Sequence, residues 1–461
     1  MLTMSASGAE SLWDEILPAE VKALPDDLAA LDELLADPGL LLPIAVRWER
    51  LLAEAGASSG RGRPTIPMEM YVRLMIVKHR SGWGYETLMR EVSDSIHLRR
   101  FCRLGLTEAV PDESTVRKLT RRLGAEVVHE ITREVIQKAR REKRFRPRAA
   151  RIDSTVVEAD VRYPTDAGLA SDGVRALARE GRKLAVKIQE KRTAVRDRSK
   201  AMGRKLRALT RSIRRRSGEA KAEVLTLTAE TGKLLQRSVK EAGKLAATAR
   251  RRARGRGAQA KLRAARKLQE LADRCEKVTG QINQRVKGEK ITDRLVSLWD
   301  PDARPIRKGK LSRPTEFGYV DQLCEITPNT KKGARGFILP PTSQIGNPAE
   351  NTLLPDTAAE LRNLGIALKE VMVDGVFTTT ATNQALEGLT DTVQIAGRQE
   401  PGSRRTRRRR QRYRTGMEGR ISHLKRGYGL DRSRLKGNEG HQIWGGWATL
   451  TYNLDTYTTL T

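Results

Sequence analysis

Apolar residues recur every three or four positions through the first part of the chain, and this spacing predicts amphipathic helices. The acidic segment 1–60 carries leucines at this spacing, at Leu28, Leu31, Leu34 and Leu35. A basic hinge is predicted over 60–64, where the sequence reads Gly-Arg-Gly-Arg-Pro. Residues 1–60 are therefore expected to form a helical N-terminal segment.

Several short helices are predicted between residues 61 and 145. One of them starts near Pro111, with Asp112 or Ser114 as its N-cap. Its first turns carry four basic residues, Arg117, Lys118, Arg121 and Arg122. This pattern fits a helix-turn-helix-like DNA-binding domain. A helical bundle with a solvated basic face is the alternative.

The second half of the chain alternates between strand and helix patterns. Strands are predicted at 149–159, 316–327, 335–340 and 371–373, and helices at about 356–370 and 413–427. Strands in series followed by alternating helix and strand describe an α/β domain with a mixed sheet. We assign this domain to residues 146–165 and 301–461.

A strongly basic insertion, residues 166–300, separates the first strand from the second. From Arg175 to Lys290 there are 36 Lys and Arg against 11 Asp and Glu, a net charge of +25. Apolar residues at helical spacing predict two or three long helices in an antiparallel coiled-coil hairpin, with breaks near 217–218 and 254–257. The charge favours an arm that lies along a duplex. A solvated helical spacer is the alternative.

The composition of the whole chain points to a polyanionic partner. Its net charge is +32 and its pI is about 10.5, as expected for a nucleic-acid-binding protein. No apolar run reaches the roughly 18 residues that a membrane-spanning helix requires, so no membrane partner is expected. The N-terminus lacks the pattern of a secretory signal. The three cysteines are far apart and form neither a metal motif nor an even disulfide set, which favours the cytoplasm.

Candidate chemistry lies in three acidic residues. Asp153 and Asp374 lie on or at the end of predicted strands. Arg414, Glu418 and Lys425 follow the spacing R-x3-E-x6-K, which places all three on one helix face. Three convergent carboxylates can hold two divalent cations and cut a phosphodiester. Taken singly, the aspartates also fit ordinary turns, and the glutamate fits a solvated, salt-bridged helix.

Together, Asp153, Asp374 and Glu418 resemble the catalytic signature of the bacterial insertion-sequence DDE transposases. The likeness extends to the motifs around them, Asp-Ser-Thr, Asp-Gly-x-Phe and R-x3-E-x6-K. In many relatives a Tyr precedes the Arg by three positions; here that position is Gln411, and Tyr413 stands beside the Arg. The resemblance covers most of the chain apart from residues 1–60 and the insertion.

The resemblance implies an RNase H-like catalytic domain and a two-metal mechanism. Asp153, Asp374 and Glu418 would bind two Mg²⁺ ions, or Mn²⁺ in their place, while Arg414 and Lys425 hold phosphates. The protein would cleave at the ends of its insertion sequence and join them to target DNA. Its partners would be double-stranded DNA, at both transposon ends and target, and at least one further copy of the chain. The expected location is the bacterial cytoplasm, in association with the nucleoid.

Several alternatives remain open on the sequence alone. Glu439 is a rival third acid, and Glu418 is preferred because of its Arg and Lys neighbours. The segment 404–410 holds six arginines in seven residues and is predicted to be a loop, either on DNA or solvated. The tryptophans near the C-terminus are expected to pack a closing helix. A non-catalytic DNA-binding protein derived from a transposase is the main functional alternative, and a structure-selective nuclease on the same fold is another.

Overall fold

The computed structural model describes residues 2–5, 16–56, 64–190, 194–215, 217–307, 315–398 and 403–460. Most of the hinge predicted over 60–64 lies outside the described residues. The chain divides into two compact units. The sheet unit comprises Met1–Asp160 and Tyr319–Thr461, and the helical unit comprises Val161–Gly318.

The sheet unit begins with a series of helices. They are α1 (Ala19–Lys22), α2 (Asp26–Leu35), a 3-10 turn (Pro38–Leu41), α3 (Leu42–Glu54), α4 (Met68–Ser81), α5 (Tyr85–Asp94), α6 (Ile96–Phe101) and α7 (Glu113–Arg141). The predicted leucine stripe of α2 is buried, and Asp112 is confirmed as the N-cap of α7. Helix α4 ends where Gly82 adopts a left-handed conformation with φ of 69°, which costs glycine little. Gly124, with φ of 79°, kinks α7.

Strands and further helices complete the sheet unit. The strands are β1 (Ala149–Ala159), β3 (Glu316–Thr327), β4 (Phe337–Ile338), β5 (Thr342–Gln344), β6 (Leu368–Val373), β7 (Thr390–Ile395) and β8 (Arg432–Ser433). The helices are α12 (Glu350–Asn363), α13 (Thr379–Ala385), α14 (Arg404–Gly427) and α15 (Asn438–Thr458). The main strand order is β3-β1-β6-β7. β6 runs parallel to β1 and β7, and β4 and β5 run antiparallel to β3.

The two faces of the sheet bury different sets of residues. Ala150 and Ile152 of β1 belong to the large core that also contains the N-terminal helices and α12. Val157, on the opposite face of β1, packs with Met417 and Leu424 of α14. Alternation of side chains along a strand explains this division. The segments 1–60 and 61–145, predicted as separate regions, thus share one core with the α/β region.

The helical unit contains α8 (Asp166–Lys187), α9 (Ser199–Arg214), α10 (Gly218–Arg251) and α11 (Ala258–Val286). Strand β2 (Arg304–Ile306) pairs there with residues 316–318. The described residues of this unit thus form four helices rather than the two or three predicted. These four helices share their own apolar core. The predicted breaks are confirmed, because Ser217 caps α10 and residues 252–257 separate α10 from α11.

Two predictions of secondary structure were wrong. The helix expected at 356–370 ends at Asn363, because Gly365 turns the chain with φ of 58° and β6 begins at Leu368. The arginine-rich segment 404–410, predicted to be a loop, forms the first turns of α14. Arginine is a good helix former, and the Ser403 side chain caps the helix by accepting from the Thr406 N–H. Across the described part of the chain, no helix has both the length and the apolarity needed to cross a membrane.

Candidate active site

The register between β1 and β6 brings Asp153 and Asp374 side by side. Arg151 pairs with Met372 and Ile152 with Val373, so the next positions along the two parallel strands are Asp153 and Asp374. Because side chains alternate, Asp153 shares a face with Arg151, and Asp374 shares a face with Met372. Both aspartates thus lie at the carboxyl ends of paired strand segments, where ligand sites collect in α/β sheets.

Helix α14 covers the face on which both aspartates lie. Arg151 Nη1 donates to the backbone oxygen of Tyr413 over 2.7 Å, and Glu370 of β6 pairs with Arg409 and Arg410. Since Arg151 and Glu370 have the same strand parity as the two aspartates, these contacts place α14 above the aspartates as well. The site is therefore formed by two strands and one helix of the sheet unit.

A buried charge cluster fixes α14 against the sheet. Glu325 of β3 accepts from Arg151 over 2.6 and 2.7 Å and from Arg420 over 3.0 Å. Glu325 and Arg151 are almost fully buried, and the Gly336 N–H also bonds to the carboxylate over 3.1 Å. Arg151 precedes Asp153 by two residues, and Arg420 follows Glu418 by two. The cluster therefore sets the position of α14 relative to β1.

Gly416 allows α14 to approach the sheet closely. A Cβ atom at this position would overlap Nη1 of Arg151. The Arg151 guanidinium cannot easily withdraw, because it is also bonded to Glu325 and, over 3.1 Å, to the Ala334 oxygen. The glycine between Arg414 and Glu418 is therefore required by packing rather than by backbone conformation.

The R-x3-E-x6-K residues occupy one face of α14, as predicted from their spacing. Arg414 Nη1 lies 3.0 Å from Oδ1 of Asp374. Glu418 is one turn further along the helix and is exposed. Lys425 Nζ donates to the Val156 oxygen of β1 over 2.6 Å. Arg414 thus connects Asp374 to the helix that carries Glu418.

Asp153 is half-buried, and the next residue of β1, Ser154, contacts a further acid. Its Oδ1 accepts from the Ser154 N–H over 2.7 Å, and the Ser154 hydroxyl donates to Glu350. Glu350 begins α12, and sequence reasoning did not identify it. The sequence signal for Glu350 was its position in the first turn of a helix. Acidic residues are common at that position, so it does not single out a functional residue.

The donor set suits a hard divalent cation, although the described residues do not bring three acids together. Within the described ranges, no group of three or more His, Cys, Asp or Glu side chains is arranged to hold a metal ion. Asp374 is paired with Arg414 instead. The carboxylates of Asp153 and Asp374 would offer the oxygen ligands that Mg²⁺ prefers, so the fit to a metal rests on this pair.

The four basic residues predicted to contact DNA lie at the start of α7 and are all exposed. Arg117 pairs with Glu113 at 3.3 Å, and Lys118 lies 3.4 Å from the Ser114 hydroxyl. These two pairs are local and solvent-accessible. In contrast, Arg121 donates to the Lys436 oxygen over 3.1 Å, and Arg122 stacks on Trp48 at 4.1 Å. The second two residues therefore also hold the unit together.

The remaining candidates of the C-terminal region lie on α15. Glu439 is exposed at the start of α15 and lies beside Gly124 of α7. Trp444 and Trp447 are buried in the large core, which confirms that they pack a closing helix. The Arg414 side chain, which shares α14 with Glu418, contacts Asp374.

Comparison with known proteins adds one finding to this geometry. Residues 29–122 match the family described as "Transposase domain (DUF772)". The match runs from within α2 to the first turns of α7, and it supports a transposase family and a DNA substrate in general. Searches of curated proteins and of solved structures found no match.

Proposed function

We propose that the protein is a DDE transposase with an RNase H-like catalytic domain in the sheet unit. The observation that carries the proposal is the register of β1 and β6, which ends at Ile152 and Val373 and so sets Asp153 and Asp374 at adjacent positions beneath α14. Arg414 of that helix contacts Asp374, and Glu418 follows one turn later on the same face. The transposase family match lies in a different part of the same unit, so it supports the proposal independently.

In this proposal Asp153 and Asp374 would hold two divalent cations, and Glu418 would complete the set. When bound, such ions activate the attacking oxygen and stabilise the leaving oxygen of a phosphodiester. Arg414 and Lys425 flank Glu418 on the helix face and would bind phosphate oxygens. Water would attack at the transposon end, and the freed 3′-hydroxyl would then attack the target. Pairing two ends suggests at least a dimer.

The helical unit would add electrostatic affinity for DNA. Its net charge of +25 between Arg175 and Lys290 exceeds what a packed helical bundle needs for solubility. Cations that neutralise phosphates release counterions, and this release makes binding strong and salt-dependent. We infer that the insertion lies along duplex DNA, whether that of the transposon end or of the target.

One observation favours the alternative, a non-catalytic DNA-binding protein derived from a transposase. Asp374 is engaged by Arg414, and the described residues form no three-acid cluster. A decayed enzyme could keep its fold and its charge in this state. Such a protein would bind element ends tightly without cutting them.

Metal-dependent nicking and joining of a labelled duplex carrying the element's end distinguishes these functions. Wild type would be compared with Glu418→Gln and with Glu439→Gln, which makes the same change at the rival acid. The proposal expects cleavage by wild type and Glu439→Gln and none by Glu418→Gln. Loss of cleavage in Glu439→Gln alone would identify Glu439 as the third acid. Tight binding by wild type without cleavage, in either Mg²⁺ or Mn²⁺, would establish the non-catalytic protein.

A further inference from the structure

The first turns of α14 carry more positive charge than the helix can stabilise by itself. Arg404, Arg405, Arg407 and Arg408 are exposed and lie within two turns. Like charges three or four residues apart repel on a helix surface. Cations at a helix N-terminus are also opposed by the helix dipole. The segment is therefore arranged against its own stability, as expected if an anion binds there.

These arginines also lack partners within the described chain. Arg409 and Arg410 pair with Glu370, and Arg414 pairs with Asp374. Across the ranges that the structure describes, no ion pair or side-chain hydrogen bond involves Arg404, Arg405, Arg407 or Arg408. A solvated helix face usually interleaves acids with its bases, and α14 contains no acid before Glu418.

The helix geometry places Arg404 and Arg407 on one face of α14 and Arg405 on the opposite face. At 3.6 residues per turn, Arg407, Arg414, Glu418 and Lys425 fall within about 40° of one another, and Arg404 lies about 60° from Arg407. Arg405 and Arg412 point about 140–160° away from Arg407. Arg404 and Arg407 therefore extend the face that carries the candidate active site, and Arg405 and Arg412 lie on the opposite side.

We propose that Arg404 and Arg407 bind the backbone of the DNA duplex that flanks the phosphate to be cut. The inference rests on the proposed function, since the positions of the contacted phosphates are counted from the phosphate to be cut. The two arginines precede Glu418 by 14 and 11 residues, which is about 21 and 17 Å along the helix. One strand of duplex carries a phosphate about every 3.4 Å. For a helix lying along the duplex, the contacted phosphates are about five or six positions from the cut.

The occupant is a duplex backbone rather than a single small anion. Arg404 and Arg407 lie one turn apart on the helix surface, and both are exposed. Extended side chains at this spacing suit a row of phosphates, and contacts of this kind position a protein without reading sequence. Arg414 continues the row at the site, so one helix would align both the flanking DNA and the reacting phosphate.

The test compares two pairs of substitutions on the same helix. Arg404→Gln/Arg407→Gln removes two charges from the site face, and Arg405→Gln/Arg412→Gln removes two from the opposite face. Affinity for a duplex spanning the junction of element end and flanking DNA is measured against salt concentration. Loss of two phosphate contacts should reduce the slope of log K against log salt by about 1.8 in the site-face variant. The opposite-face variant should keep the wild-type slope. Circular dichroism checks that both variants retain their helix content.

Phosphate ethylation interference then locates the contact. In wild type, ethylation about five or six phosphates from the cleavage position should block binding, and this interference should disappear in Arg404→Gln/Arg407→Gln alone. Equal slope changes in both variants, or no change in either, would overturn the proposal. Binding and interference are read without cleavage. If wild type binds and shows this pattern when positions are counted from the element end, but never cuts, the proposed catalysis fails while the DNA contact stands.

Discussion

Replacing Gly416 with Ala should separate the local helical preference of α14 from its packing on the sheet. Gly419, one turn along the same helix, provides the matched control, because a Cβ there meets nothing within 4 Å. Both replacements gain about 1 kcal/mol of helix propensity. At Gly416 the new methyl overlaps Nη1 of Arg151, which is buried and held by Glu325 and the Tyr413 oxygen.

The cost at Gly416 follows from what must move. Displacing the guanidinium loses a hydrogen bond of a charged group, about 1.5–3 kcal/mol, and crowding a packed region costs about 1–3 kcal/mol. The two costs overlap, and both variants gain the same helix propensity. Gly416→Ala should therefore be less stable than Gly419→Ala by about 2–4 kcal/mol. The change should also lower DNA cleavage, since Glu418 follows two residues later.

Urea unfolding followed by tryptophan fluorescence measures the difference. Trp48, Trp83, Trp444 and Trp447 lie in the sheet unit, and Trp299 lies in the helical unit, so most of the signal comes from the unit that contains α14. The two units need not unfold together, and only the transition of the sheet unit is compared. Equal midpoints for the two variants would refute the reasoning, because they would mean that Arg151 does not lie beneath Gly416.

Three further predictions test charge and protonation. Desolvation lowers the pKa of His129 to about 4, so on acidification the unfolded chain binds a proton at this histidine before the folded chain does. The free energy of unfolding should therefore fall as pH drops from about 6.5 to 4, and an unchanged pH profile in His129→Gln would exclude this residue as the cause. Arg117→Gln/Lys118→Gln should weaken DNA binding with little change in unfolding, whereas Arg121→Gln, which removes the bond to the Lys436 oxygen, should lower the urea midpoint. Arg414→Gln should bind Mn²⁺ more tightly than wild type by calorimetry yet cleave DNA more slowly, and an unchanged Mn²⁺ affinity would show that the arginine does not compete for the site.

Local sequence patterns predicted the elements of the candidate site, but not the contacts that hold these elements together. β-branched runs located β1, and helical spacing placed Arg414, Glu418 and Lys425 on one face. In contrast, Glu325 is 174 residues from Arg151 and 95 from Arg420, and nothing local in the sequence signals such a partnership. The loop predicted over 404–410 failed for a related reason. A charge run describes the surface of a segment, and its backbone is decided by intrinsic propensity and capping.

The contact between Arg414 and Asp374 bears on how a cation would reach the proposed site. A guanidinium 3.0 Å from the Asp374 carboxylate would compete with a metal cation for the same oxygen atoms. DNA brings phosphate oxygens, which bind arginine through the same planar hydrogen-bond geometry as a carboxylate. We expect Arg414 to transfer from Asp374 to a phosphate when the duplex arrives along Arg404 and Arg407. Asp374 would then be available for a cation only in the presence of substrate, so that cutting is coupled to correct placement of the DNA.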